Sequence, residues 1–163
     1  MNSIRGLLLN QTAWCTRSYL ARFTSTGTKH AEAGVYLDEC LAIARAIGSD
    51  DHLGEHLQTA ADLALVQGNL DGACETLHAA LRAARAAHAH RQKIKDLLRL
   101  ARLDVRQNCT AQAQRALAAL RAEANLPDDL YAEVDALVQA LPATTVSPIR
   151  SLDALINEVI KSG

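Results

Sequence analysis

Aromatic side chains are scarce: Phe, Trp and Tyr together make up 3% of the chain. A surface built for stacking nucleic-acid bases needs such residues, so base-stacking recognition is disfavoured from the start. No apolar run approaches the ~18–20 residues that would span a bilayer. Leu7-Leu8-Leu9 is too short for the core of a secretory signal. The four cysteines, Cys15, Cys40, Cys74 and Cys109, are widely separated and none belongs to a CxxC pair. A structural zinc site or a thiol redox motif is therefore not expected. Cys40 and Cys74 instead read as small core residues in a reducing compartment. Neither a glycine-rich phosphate loop nor a G-x-S-x-G elbow is present. The formal net charge is −1, which gives no global attraction to polyanions or membranes.

What the chain does have is alanine, placed inside helical patterns where it costs no side-chain entropy. It also has a repeat. Ala60-Ala61-Asp62-Leu63-Ala64-Leu65-Val66-Gln67-Gly68-Asn69 runs in step with Leu100-Ala101-Arg102-Leu103-Asp104-Val105-Arg106-Gln107-Asn108-Cys109, 40 residues later. The same offset joins Ala73, Leu77 and Ala80 to Ala113, Leu117 and Leu120, and leads back to Ala33, Leu37 and Cys40. One helix–turn–helix unit is thus written about three times. Such a period, within the ~20–50 residue range, marks a solenoid of stacked helix pairs.

Residues 1–29 contain no Asp or Glu and carry Arg5, Arg17, Arg22 and Lys29. They read either as the first repeat helix, with Leu8, Leu9, Thr12, Ala13, Thr16, Leu20 and Phe23 as its apolar stripe, or as a mitochondrial targeting segment processed near Phe23. In the first reading, Thr24-Ser25-Thr26-Gly27-Thr28 is the turn of the first hairpin. Helices follow over about 30–47, 52–67, 70–88, 92–107 and 110–124, with Gly48 and Gly68 as stops and Ser49, Asp51 and Asn69 as candidate N-caps. A capping helix then presents Leu130, Val134, Leu137, Val138 and Leu141 inward and Asp129, Glu133, Asp135 and Gln139 outward. Residues 30–141 form the repeat domain and 142–148 a linker. Residues 149–163 form a short amphipathic helix, begun by Ser147 and Pro148, which either folds back on the last repeat or docks elsewhere.

These positions resemble the tetratricopeptide repeat family. The second repeat reads Leu57, Ala60, Ala61, Ala64, Gly68, Ala73, Leu77 and Ala80; the third reads Leu97, Leu100, Ala101, Asp104, Asn108, Ala113, Leu117 and Leu120. The first reads Arg17, Leu20, Ala21, Thr24, Thr28, Ala33, Leu37 and Cys40, with Arg17 departing from the large apolar position. The period here is 40 where that family has about 34. Extended repeats of this kind are similar to those of bacterial transcriptional and signalling proteins. The resemblance implies an all-α, right-handed helical-hairpin solenoid of about three tetratricopeptide-like repeats plus a capping helix. It also implies a protein-interaction or scaffold role without an enzymatic one.

Lys95, Arg99, Arg102 and Arg106 recur at spacings of four, three and four, and so share one helix face. In the family the first helices line a concave groove. The resemblance therefore implies a groove for an acidic or C-terminal peptide segment, with Leu65, Leu98 and Val105 as its apolar part. Such a module is expected in the cytoplasm, as part of a bacterial regulator. If residues 1–29 are cleaved, it is an accessory subunit of a mitochondrial assembly. No cofactor is expected, and self-association is left open. A competing reading comes from His52-Leu53-Gly54-Glu55-His56, an H-x-x-E-H string in which two histidines four apart could share zinc with Glu55 as base. No third ligand can be picked out, and Gly54 weakens the helix that would hold the site.

Overall fold

The structure is a computed structural model, and it describes residues 27–142 and 151–162. Among these residues there are seven helices and no strand. They are α1 (Gly27–Ile47), α2 (Asp50–Val66), α3 (Leu70–Ala86), α4 (His90–Arg106), α5 (Thr110–Arg121), α6 (Asp128–Ala140) and α7 (Leu152–Ser162). The chain divides into two compact units, one ending at Ala89 and the other starting at His90.

The regularity is finer than the 40-residue offset. Helices α2, α3 and α4 are each 17 residues long. Gly48, Gly68, His88 and Asn108, spaced 20 residues apart, all adopt positive φ. At each of them the helix closes in the same way. The Gly68 N–H donates to the Leu65 carbonyl at 3.1 Å, and the Asn69 N–H donates to the Ala64 carbonyl at 2.9 Å. The equivalent pairs follow Arg45 and Ala44, Arg85 and Ala84, and Val105 and Asp104. This is the Schellman arrangement, which satisfies carbonyls that a helix end would leave unpaired. Glycine adopts the left-handed conformation without a steric penalty, and Asn tolerates it. His88 does not share that ease, yet it too turns the chain, so α3 stops at Ala86 short of the expected 88. Within each unit such short turns make consecutive helices neighbours, α1 with α2, α2 with α3, α4 with α5 and α5 with α6.

Starts are specified locally too. The Asn69 side chain accepts the Gly72 N–H at 2.9 Å, capping α3 as expected. A Cβ on residue 72 would collide with that Asn69 side chain. Ser49 occupies the N-cap of α2, but its hydroxyl lies 2.6 Å from His52 Nδ1 instead of bonding the backbone. Asp50 and Asp51 in the first turn suit the positive end of the helix dipole.

The first unit holds α1, α2 and α3. Leu37 and Leu41 of α1, Leu57 of α2, and Ala80 and Ala83 of α3 form one buried cluster, flanked by Leu53, Ala60 and Ala79. Small residues let the hairpin close tightly: a Cβ on Gly54 would stand 3.9 Å from Ala83 Cβ. One expectation fails here. Gly27 and Thr28 do not form a turn but open α1. Thr28 stands where the 20-residue step would require positive φ, which a β-branched residue resists. Thr24, Ser25 and Thr26 lie outside the described residues, as does the segment 1–26 on which the first-helix and targeting readings rest.

In the second unit α5 packs against α4, α6 and α7, and α4 also meets α6. Leu130 and Val134 of α6 are buried as expected, while Leu137, Val138 and Leu141 are half-buried. On the side of α6 expected to face solvent, Asp129 and Gln139 are exposed and Glu133 and Asp135 half-buried, and its acids also make ion pairs. Arg91 of α4 lies 3.5 Å from Asp129, Arg121 of α5 lies 3.2 Å from Asp135, and Arg102 of α4 pairs with Glu133. Long arginine stems reach along the helix surface to make such pairs. Helix α7 folds back on α5 with Leu152, Leu155 and Ile156 buried. It is capped by Ser151, whose hydroxyl accepts the Ala154 N–H at 3.2 Å, and begins at Leu152, so residues 147 and 148 do not start it. Those two residues lie outside the described set.

Candidate functional site

At about 100° per residue, the buried residues of α4 (Ile94, Asp96, Leu97, Leu98, Leu100, Ala101 and Leu103) occupy most of its circumference. Lys95, Arg99, Arg102 and Arg106 fall within a sector of about 60° in the remaining gap. Lys95 and Arg99 are half-buried, and Arg102 and Arg106 exposed. The four cations thus share a face, as their spacing predicts. They do not share one environment. Arg102 is tied to Glu133 of α6. Among the described residues, Lys95 and Arg106 make no ion pair.

The apolar residues assigned to the same site differ in setting. Leu98 is 2% exposed and so presents almost no surface to a ligand. Val105 is half-buried near the end of α4, and Leu65, also half-buried, belongs to α2 of the first unit. In α2 the positions 40 residues before the basic ones are Glu55, Thr59, Asp62 and Val66. The same helix face therefore carries negative charge in one repeat and positive charge in the next.

The H-x-x-E-H residues are not arranged as ligands. His52 Nδ1 is engaged with the Ser49 hydroxyl, Glu55 is exposed, and His56 is 1% exposed. Among the described residues, no group of three or more His, Cys, Asp or Glu side chains could hold a metal ion. Burial pushes the His56 imidazole below its ordinary pKa, against the opposing pull of Glu55. The neutral ring is thus favoured in the fold. Cys40 is buried, Cys74 half-buried and Cys109 exposed, all as free thiols, whereas Cys15 lies outside the described residues.

Two features escape a reading by residue type. His56 and Asp96 are both almost wholly buried and stand 40 residues apart, so the repeat places a polar side chain at the same inward position twice. The repeat alignment was the signal that could have found them. The other is Asp104, in the last turn of α4, whose carboxyl is pushed up to about 6 by burial. An acid near a helix C-terminus also faces the negative end of the dipole. Because the folded chain holds this proton more tightly than the unfolded chain, Asp104 costs stability as pH rises from about 4 to about 6, and the cost persists above that window. Allowing for solvent screening of a half-buried group, Asp104→Asn is expected to stabilise the protein at pH 7 by on the order of 1 kcal/mol. Near pH 3.5 it should have little effect. Urea denaturation of both proteins across that range measures the difference; a gain that is the same at every pH would refute the assignment.

The site is thus a basic face on α4, and among the described residues no group of three or more His, Cys, Asp or Glu could hold a metal ion. No protein-family model, no curated protein and no solved structure matches the chain.

Proposed function

We propose that this chain is a protein–protein interaction module of the tetratricopeptide-like kind, and that α4 offers its basic stripe to an acidic segment of a partner protein. The observation that carries this reading is the sector left open on an otherwise buried helix, filled by Lys95, Arg99, Arg102 and Arg106. The helical-repeat arrangement of similar-length helices supports it, because stacked hairpins present long, rigid faces suited to extended ligands. Arg102, already paired with Glu133, acts mainly to hold α6 in place. Lys95 and Arg106, with Arg99 between them, are the contacts offered to the ligand. The peptide lies along the stripe with its carboxylates toward these cations, and a free C-terminus adds one more. Each charge-assisted bond contributes up to ~1.5–3 kcal/mol where partly desolvated, and much less where fully solvated.

Fluorescence anisotropy with labelled peptides tests this. Acidic and neutral sequences are compared, each with a free and an amidated C-terminus. Acidic peptides are expected to bind, and Lys95→Glu/Arg106→Glu to weaken them about tenfold or more, which corresponds to ~1.4 kcal/mol. Raising salt from about 0.05 to about 0.5 M should weaken binding strongly, since exposed charges are then screened within a few ångströms. Failure of every acidic peptide to bind, or affinity indifferent to salt, refutes the proposal. Circular dichroism confirms that the variant keeps its helices.

A further inference from the structure

Helix α4 carries a second pair of cations with the same spacing as Lys95 and Arg106. Arg91 and Arg102 are also eleven residues apart. Eleven residues make three turns and about 20° more, a rise of about 16.5 Å. Each pair therefore forms a row along the helix axis, and the two rows lie about 40° apart around it. Helix α6 fills the first row: Asp129 lies 3.5 Å from Arg91, and Glu133 pairs with Arg102. These two acids stand four residues apart, one helical turn, with a rise of about 6 Å. Cations rooted about 16.5 Å apart are thus served by the carboxylates of a single turn, because long basic stems lean along the helix surface. The second row has the same geometry. Lys95 is half-buried, Arg106 is exposed, and among the described residues neither makes an ion pair.

We infer that the acidic segment of the partner is itself a helix, which presents carboxylates at positions i and i+4 to Lys95 and Arg106 as α6 presents Asp129 and Glu133 to Arg91 and Arg102. The inference rests on the function proposed above and adds the conformation of the ligand and the spacing of its acids. The fold holds an internal example of that ligand on the neighbouring row of the same helix. Side chains four apart on a helix share a face, so both carboxylates reach the row together. Side chains two apart on a helix point about 200° away from each other, and only one of them can reach it. In an extended segment, acids four apart are separated by about 13 Å, about twice the separation that α6 uses.

Titration of the full chain with three peptides, followed by NMR of the α4 amides, tests the inference. Each peptide carries two glutamates in a neutral background. Two are helices held by a hydrocarbon staple, with the glutamates at i and i+4 in one and at i and i+2 in the other. The third has them at i and i+2 in an extended chain bracketed by prolines. The stapled i, i+4 peptide is expected to bind about tenfold tighter than either of the others. Lys95→Gln and Arg106→Gln should each remove most of that advantage, while Arg106→Lys, which keeps the charge, should retain it. Circular dichroism checks that the variants keep their helices. The inference is overturned if the extended peptide binds as tightly as the stapled i, i+4 helix. It is overturned equally if spacing within the stapled helix makes no difference, or if the advantage survives both glutamine variants. In each of those cases acidic peptides still bind, and the function proposed above stands. If no acidic peptide binds, both fall together.

Discussion

Leu117→Ala is expected to destabilise the second unit by about 3–5 kcal/mol, the upper part of the range for a buried leucine truncated to alanine. Leu117 is fully buried in α5, and α5 packs against α4, α6 and α7. A cavity is cheapest where a neighbouring helix can slide in to fill it. Three neighbours crowd α5, and ion pairs hold two of them from outside, through Arg121 to Asp135 and Arg115 to Glu158. Movement toward the gap on one side opens another gap on the other side, so little of the lost contact is recovered. Urea denaturation, followed by the protection of amides in α4, α5 and α6, measures the loss. A cost below about 1 kcal/mol would mean that the helices repack freely and that the unit is looser than its burial suggests.

The same leucine shows why so much of the fold could be read in advance. Leu77 and Leu117 are 40 residues apart and both fully buried, as are Ala73 and Ala113, and Ala80 and Leu120. Once one helix–turn–helix unit is recognised, each of its core positions is checked again by the next. Turn chemistry was legible where it used the usual residues, Gly48, Gly68 and Asn108. It was hidden at His88, whose left-handed conformation nothing in its side chain announces, and only the 20-residue step between turns would have found it. The start of α1 was misplaced for the opposite reason. A run of Ser, Thr and Gly looked like a turn by composition, while Thr28 itself cannot easily take the conformation that the turn needs.

The candidate site was legible only as far as local geometry reaches. That Lys95, Arg99, Arg102 and Arg106 share a face follows from helical spacing, and needs no tertiary contact. That Arg102 belongs to Glu133 could not be seen, because the two are joined by the packing of α6 on α4. Leu98 illustrates the same limit: on a helix buried around most of its circumference, an apolar side chain beside the open sector still turns inward. The acidic side of α6 faces outward at Asp129 and Gln139 as expected, but its ion pairs with arginines of α4 and α5 could not be read from spacing. Periodicity reports which face a residue occupies. It does not report which element comes to meet that face.

Helix α7 was the element whose destination the sequence left open, and its attachment makes the second large prediction. Ile156→Asp is expected to release α7 from α5 without unfolding the rest of its unit. Ile156 is fully buried, and with Leu152 and Leu155 it makes up the buried side of an 11-residue helix. Burying one such side chain stabilises by about 1.5–3 kcal/mol, while an unpaired carboxylate in an apolar site costs several kcal/mol. The helix therefore escapes to water, taking the new charge with it. Two polar contacts also hold α7: Lys93 Nζ to Asp153 at 2.7 Å and Arg115 to Glu158 at 2.7 Å. The bond from Lys93 keeps the Asp153 carboxyl below its ordinary pKa. Both carboxylates are exposed and the Arg115 side chain is 36% exposed, whereas the Lys93 side chain is only 12% exposed; the more exposed Arg115 pair sets the register of docking more than its strength. Arg115→Ala should thus leave amide protection in 152–162 nearly intact, whereas Ile156→Asp should abolish it and leave α4 and α6 protected. If the two variants exchange alike, charge and not burial seats this helix, and moderate salt alone would then release it.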